Sequence, residues 1–85
     1  MSLRIQEQTL RTLIAAGSVG GLTAQRCQAG WMLVVRVGTV DAPLQLQRGG
    51  TREFKSLDVL ASVVESLGGE NLSVRLVTGD SLDQA

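Results

Sequence analysis

The sequence has no histidine and no tyrosine. It has one cysteine (Cys27), one proline (Pro43), and only Trp31 and Phe54 as aromatic residues. Each shortage excludes something. Without histidine there is neither a Ser-His-Asp triad nor a Cys-His nucleophile pair. Metal ligands are limited to carboxylates and one thiol, and no pair of them stands at metal-ligand spacing. A lone cysteine cannot close an intrachain disulfide, which suits a reducing cytoplasm. Long apolar runs are also missing. The longest, Trp31 to Val35, is far too short to span a membrane. Arg4 and Glu7 interrupt the first residues, Met1 to Gln8, unlike a signal peptide. The expectation is a cytoplasmic, non-enzymatic protein with no metal, no cofactor, no small-molecule substrate and no membrane contact.

What remains is a chain of 85 residues, 44% hydrophobic and 19% charged, a balance typical of one folded domain. With so few aromatic residues its core must be built from Leu and Val. A small core of that kind is modestly stable alone, and a homodimer is expected.

The apolar spacing predicts a helix over Leu3 to Ala16, with Leu3, Leu10, Leu13 and Ile14 on one stripe. Ser2 would cap it and Gly17 would end it. Ile5 falls off the stripe and is expected to be exposed. Ser18 to Gly21 reads as a flexible turn. Three strands follow. Leu22 to Gln28 is weakly strand-like. Trp31 to Val37 alternates strongly, with Trp31, Leu33, Val35 and Val37 on one face. Gly38 to Pro43 reads as a hairpin loop, before a half-buried strand in which Leu44 and Leu46 alternate with Gln45 and Gln47. Arg48 to Thr51 is a second turn, and Arg52 to Lys55 a short return strand. Ser56 then caps a second helix whose stripe is Leu57, Leu60, Ala61, Val64 and Leu67, stopped by Gly68-Gly69. Asn71 to Thr78 is a last strand, with Leu72, Val74 and Leu76 inward.

The predicted fold is therefore α+β: an antiparallel meander of three to five strands with two helices on one face, in the order α-β-β-β-(β)-α-β. Residues 1–79 form the single domain and 80–85 a polar tail.

Charge is zero overall but unevenly placed. Arg26 to Lys55 carries five basic and two acidic residues, whereas Ser56 to Ala85 carries one basic and five acidic. The densest polar signal is Gln45, Gln47, Arg48, Arg52 and Lys55 around Gly49-Gly50, with Arg36 on the neighbouring strand. Amides can read adenine edges, and arginines can bind phosphate or guanine. A solvated hairpin with no partner explains the same residues. Neither glycine cluster fits a phosphate loop or a dinucleotide fingerprint, because neither leads into a helix with the required spacing. Cys27 beside Arg26 has no base to activate it and reads as a structural or half-exposed thiol. Trp31 reads as a core anchor.

The segments Trp31 to Gly38, Leu44 to Gly49, Arg52 to Asp58 and Leu67-Gly68, with the opening Met1 to Leu10, resemble the small ParC-type partition-associated proteins of bacterial plasmids and mobile elements. The resemblance reaches from Met1 to about Leu76, and the residues that carry it are structural, with no catalytic residue among them. It implies an accessory role in plasmid maintenance, with DNA or a partition ATPase as partner. Arg36, Gln45, Gln47, Arg48, Arg52 and Lys55 are then the candidate contact residues. The alternative is a homo-oligomeric interaction module with no nucleic-acid contact.

Overall fold

The alternating segment from Trp31 to Val37 becomes the centre of a sheet. In the computed structural model, which describes residues 4–76, it is the third of six strands. The elements are β1 (Ile5–Gln6), α1 (Glu7–Ala15), β2 (Val19–Cys27), β3 (Gly30–Val37), β4 (Val40–Gln45), β5 (Glu53–Phe54), α2 (Leu57–Ser66) and β6 (Ser73–Arg75). The strand order is β1-β4-β3-β2-β6, and β5 pairs with β3. On one side β3 meets β2, and on the other it meets β4 and then β5, always antiparallel.

The sheet is mixed, which corrects the expected antiparallel meander. β1 runs parallel to β4, and β6 runs parallel to β2. The cause is the pair of helices. Each leads from one strand of the sheet to a co-directional one, and a parallel connection requires such a crossover. The chain order accordingly begins with a strand, not with a helix.

Several boundaries move for physical reasons. α1 starts at Glu7, not Leu3, because Ile5 and Gln6 pair with Leu44 and Gln45. Ile5 is therefore wholly buried rather than exposed. Gln6 occupies the N-cap without a side-chain cap bond, and Gly17 follows the helix with φ of 72°. Val19 to Gly21 belongs to β2, not to a turn, with a register irregularity beside Gly21. The supposed loop Gly38 to Pro43 shrinks to a Gly38-Thr39 turn, and Asp41 and Pro43 lie within β4. Pro43 is tolerated there because, among the described residues, Val40 to Pro43 has no strand on the side away from β3.

α2 follows its sequence signals closely. The Ser56 hydroxyl accepts the Val59 N–H at 3.2 Å, and Asp58 lies in the first turn. Leu60, Val64 and Leu67 are buried and Leu57 packs at their margin, but Ala61 is exposed. One core joins both helices to a single face of the sheet: Leu10 from α1, Leu60 and Val64 from α2, and Leu22, Ala24, Leu33, Val35, Ala42, Leu44 and Phe54 from the strands. Trp31 packs against this cluster, as its position predicted. The tight start of β3 depends on Gly30. Its φ is 136°, and a Cβ there would collide with the Phe54 carbonyl oxygen and press on Lys55.

β6 is shorter than the expected Asn71–Thr78 strand, and Leu72, Val74 and Leu76, in and beside it, do not all turn inward to burial. Leu72 is half-buried, while Val74 and Leu76 are 45% and 65% exposed. The expected continuation to Thr78 and the tail 80–85 lie outside the described residues. Among the described residues, no helix is long and apolar enough to cross a membrane.

Candidate functional site

β4 ends at Gln45, and the chain must turn before β5 can pair with β3. The turn is built from backbone bonds: Leu46 N–H donates to the Gly50 carbonyl at 2.9 Å, and Gly49 N–H donates to the Leu46 carbonyl at 3.0 Å. Gly49 and Gly50 have φ of 93° and 86°, values that side-chain-bearing residues adopt with strain. Beyond them Gln45 bridges to Thr51, and Arg52 N–H donates to the Leu44 carbonyl at 2.8 Å.

The N-terminal segment closes over this turn. The Gln6 side-chain amide donates to the carbonyls of Leu46, at 3.5 Å, and Gln47, at 3.2 Å. Arg52 donates to the Glu7 carboxylate, and its guanidinium sits 5.0 Å from the Phe54 ring centroid. Between the start of α1 and the turn lies an open cleft of about 690 Å³, to which Gln6, Glu7, Gln8 and Arg11 contribute on one side and Gln45 to Arg48 and Arg52 on the other.

Four of the six predicted contact residues meet here: Gln45, Gln47, Arg48 and Arg52. Gln45 and Gln47 do not share a strand face, because β4 stops at Gln45 and Gln47 belongs to the turn. Arg36 is elsewhere. It lies on the sheet face opposite the helices, in a bidentate pair with Asp41 (Nε to Oδ1 at 2.9 Å, Nη2 to Oδ2 at 3.0 Å). That hydrogen bond, more than the charge attraction, raises the Arg36 pKa. It also holds Asp41 below the usual carboxylate range, with help from the charges of Arg36 and Arg75. Lys55 is exposed between β5 and α2 and lines no part of the cleft.

The two arginines that bracket the glycines have different work. Arg52 is half-buried and engaged by Glu7 and Phe54, so it ties the turn to α1. Arg48 is exposed and has no ion-pair partner among the described residues, and the same holds for Arg11. Cys27 is half-exposed, its sulfur 3.8 Å from Glu53 Oε2.

A family model described as ParC-like matches residues 5–78, which takes in every element from β1 to β6. The chain belongs to the ParC-like family. Neither a curated protein nor a solved structure matches it. In this ParC-like chain every residue that lines the cleft lies within the family match. The residues that the sequence did not point to are Gln6, Glu7, Gln8 and Arg11. Their only signal is that Glu7 is an acid set far along the chain from a basic hairpin. No short-range pattern links positions 45 residues apart.

Proposed function

We propose that this ParC-like protein is a non-enzymatic accessory factor of bacterial plasmid or mobile-element maintenance, working in the cytoplasm by contact and not by catalysis. The observation that carries this reading is the convergence of three arginines, one glutamate and four glutamines on one cleft, leaving it two positive charges. Such a surface suits an anionic partner: the phosphates of plasmid DNA, or an acidic face of a partition ATPase. Contact with single-stranded bases by stacking is not supported. Phe54 is buried and Trp31 is half-buried against the core, so neither ring stands free as a platform.

The cleft also limits how strongly DNA is held. Arg36 and Arg52 are already neutralised by Asp41 and Glu7, which leaves Arg11 and Arg48 for phosphates. Each phosphate contact contributes close to one unit to the log–log salt dependence, so the slope is expected near about −2 per protomer. Retention of the protein on plasmid DNA, measured as salt rises, tests this. Arg48→Ala should weaken retention on all sequences alike and reduce the slope by about 1. If the protein is not retained on DNA at low salt, the DNA contact is wrong. If a partition ATPase also fails to capture it through Arg48, the cleft reading as a whole falls.

A second reading, a self-associating module without nucleic-acid contact, is favoured by a different observation: the outer side of β6 is unpaired among the described residues.

A further inference from the structure

The two ends of the sheet are built differently. At the β4 end the outer side of the strand carries Pro43 and Asp41, and β1 covers Leu44 and Gln45. Proline and charge are devices that stop one sheet from adding to another. At the β6 end the strand carries one charge, Arg75, and among the described residues no strand covers Val74 or Leu76. Val74 is the register partner of buried Ala24, so it shares the helix-covered side of the sheet, yet it is 45% exposed. Leu72 and Leu76 have the same parity. The three form one apolar row whose exposure rises from half-buried Leu72 to 65% at Leu76.

We propose that β6 is a self-pairing edge, on which a second copy of this chain lays its own β6 antiparallel and continues the sheet across a two-fold axis. This inference rests on the self-association reading above and not on the cleft. The register follows from symmetry and charge. A two-fold axis normal to the sheet keeps the faces aligned, so opposed residues must share parity. Centring the axis on Arg75 would set that arginine against its own copy, and like charges directly opposed are unfavourable. Centring it on Ser73 would leave Leu76 facing Glu70. Centring it on Val74 sets Val74 against the partner's Val74 and Leu72 against the partner's Leu76, with Ser73 against the partner's Arg75. Centring on Arg75 would also bring Val74 against the partner's Leu76, but only the Val74 register covers both exposed apolar side chains without setting Arg75 against its own copy. An occupant of the same sequence therefore fits the edge as it stands.

Strands this short bury well under about 1,000 Å², so the dimer is weak and concentration-dependent. Sedimentation of the full chain tests it. The mass should rise from the 9.0 kDa monomer toward twice that value between about 10 µM and 1 mM. Val74→Lys should raise the dissociation constant at least about tenfold while leaving the circular dichroism unchanged. The register is read with Cys27→Ser as background. Val74→Cys should cross-link to itself under mild oxidation. Ser73→Cys and Arg75→Cys should cross-link when mixed, and each far less alone. A monomeric mass throughout overturns the proposal. So does a dimer that survives Val74→Lys, or one in which Val74→Cys does not cross-link. Arg48→Ala should leave the mass unchanged, so a failure of the cleft and a failure of the edge are read separately.

Discussion

β3 is flanked by strands on both sides, and β2 follows it through eight register pairs from Val19–Val37 to Cys27–Gly30. The strands β1, β5 and β6 have two, two and three residues. The centre holds itself by ladder bonds and a continuous apolar face. The rim strands are too short to persist alone and are held in register by what the helices bury next to them. The difference separates two duties. The centre contains the wholly buried Ala24, Leu33 and Val35, while the polar cleft, the tie from Gln6 and the unpaired edge all belong to the rim. A substitution in the centre should therefore change stability first, and one at an exposed rim residue should change contacts first, while Ile5 and Phe54, buried on rim strands, go with the centre.

The sharpest test of that division sets Leu33→Ala against Leu76→Ser. Leu33 is wholly buried, and its truncation should cost about 3–4 kcal/mol in denaturant unfolding. Leu76→Ser should stay within about 0.5 kcal/mol. Comparable losses at the two positions would break the comparison. Next comes Leu60→Ala, with an expected loss of about 2–4 kcal/mol, because α2 lays this wholly buried residue on the central face. Smaller is Ser56→Ala, which removes the cap on the Val59 N–H and should lower stability by about 1 kcal/mol. At the rim, Arg52→Ala should cost about 0.5–1 kcal/mol through the Glu7 pair and the Phe54 contact. Arg48→Ala should cost nothing measurable, and thermal unfolding of the two variants side by side separates the structural arginine from the free one. The smallest effect is electrostatic. Asp41 is held below its ordinary pKa, so its contribution to stability is present above the ordinary aspartate range and is lost as pH falls through the folded value. Arg36→Ala should move the Asp41 titration back toward the ordinary value in an NMR pH series, with only the Arg75 charge left to hold it down.

Legibility followed the same division. The alternation of Trp31 to Val37 and the Ser56-capped stripe of α2 are local patterns, and both appear in the structure, with Ala61 alone of the stripe exposed. Periodicity does not place Ile5, because two residues of strand cannot be told from the first turn of a helix by it. What makes Ile5–Gln6 a strand is Leu44–Gln45, far along the chain. The parallel pairing of β6 is hidden for the same reason, since its partner Thr23–Gln25 lies 50 residues back along the chain. Within the cleft, the hairpin half stood out because its arginines, glutamines and glycines are contiguous. The half from α1 did not, because Glu7 and Arg11 look like ordinary solvent-facing charges until Arg52 is placed beside them. Arg36 looked like part of the same surface, but β-strand parity puts it on the opposite face of the sheet from the core, locked to Asp41.

The alternation of tight turns and helical crossovers also sets an order in time. β2, β3 and β4 are joined by the two-residue turns at Gln28-Ala29 and Gly38-Thr39, so their contacts close short loops. β1 and β6 meet their partners only across long spans of chain, and the loop-closure entropy of those spans is opposed by very few new contacts. The β2–β3–β4 unit is therefore expected to be the folding nucleus, with both ends of the chain docking after the rate-limiting barrier. Val35→Ala should slow folding, whereas Ile5→Val should mainly speed unfolding, a contrast that the two arms of a chevron plot would display. Equal effects of both substitutions on the folding arm would refute the order. If it holds, the rim can open and reclose many times within the lifetime of one folded centre, and the cleft and the β6 edge are then renewed on a timescale separate from global unfolding.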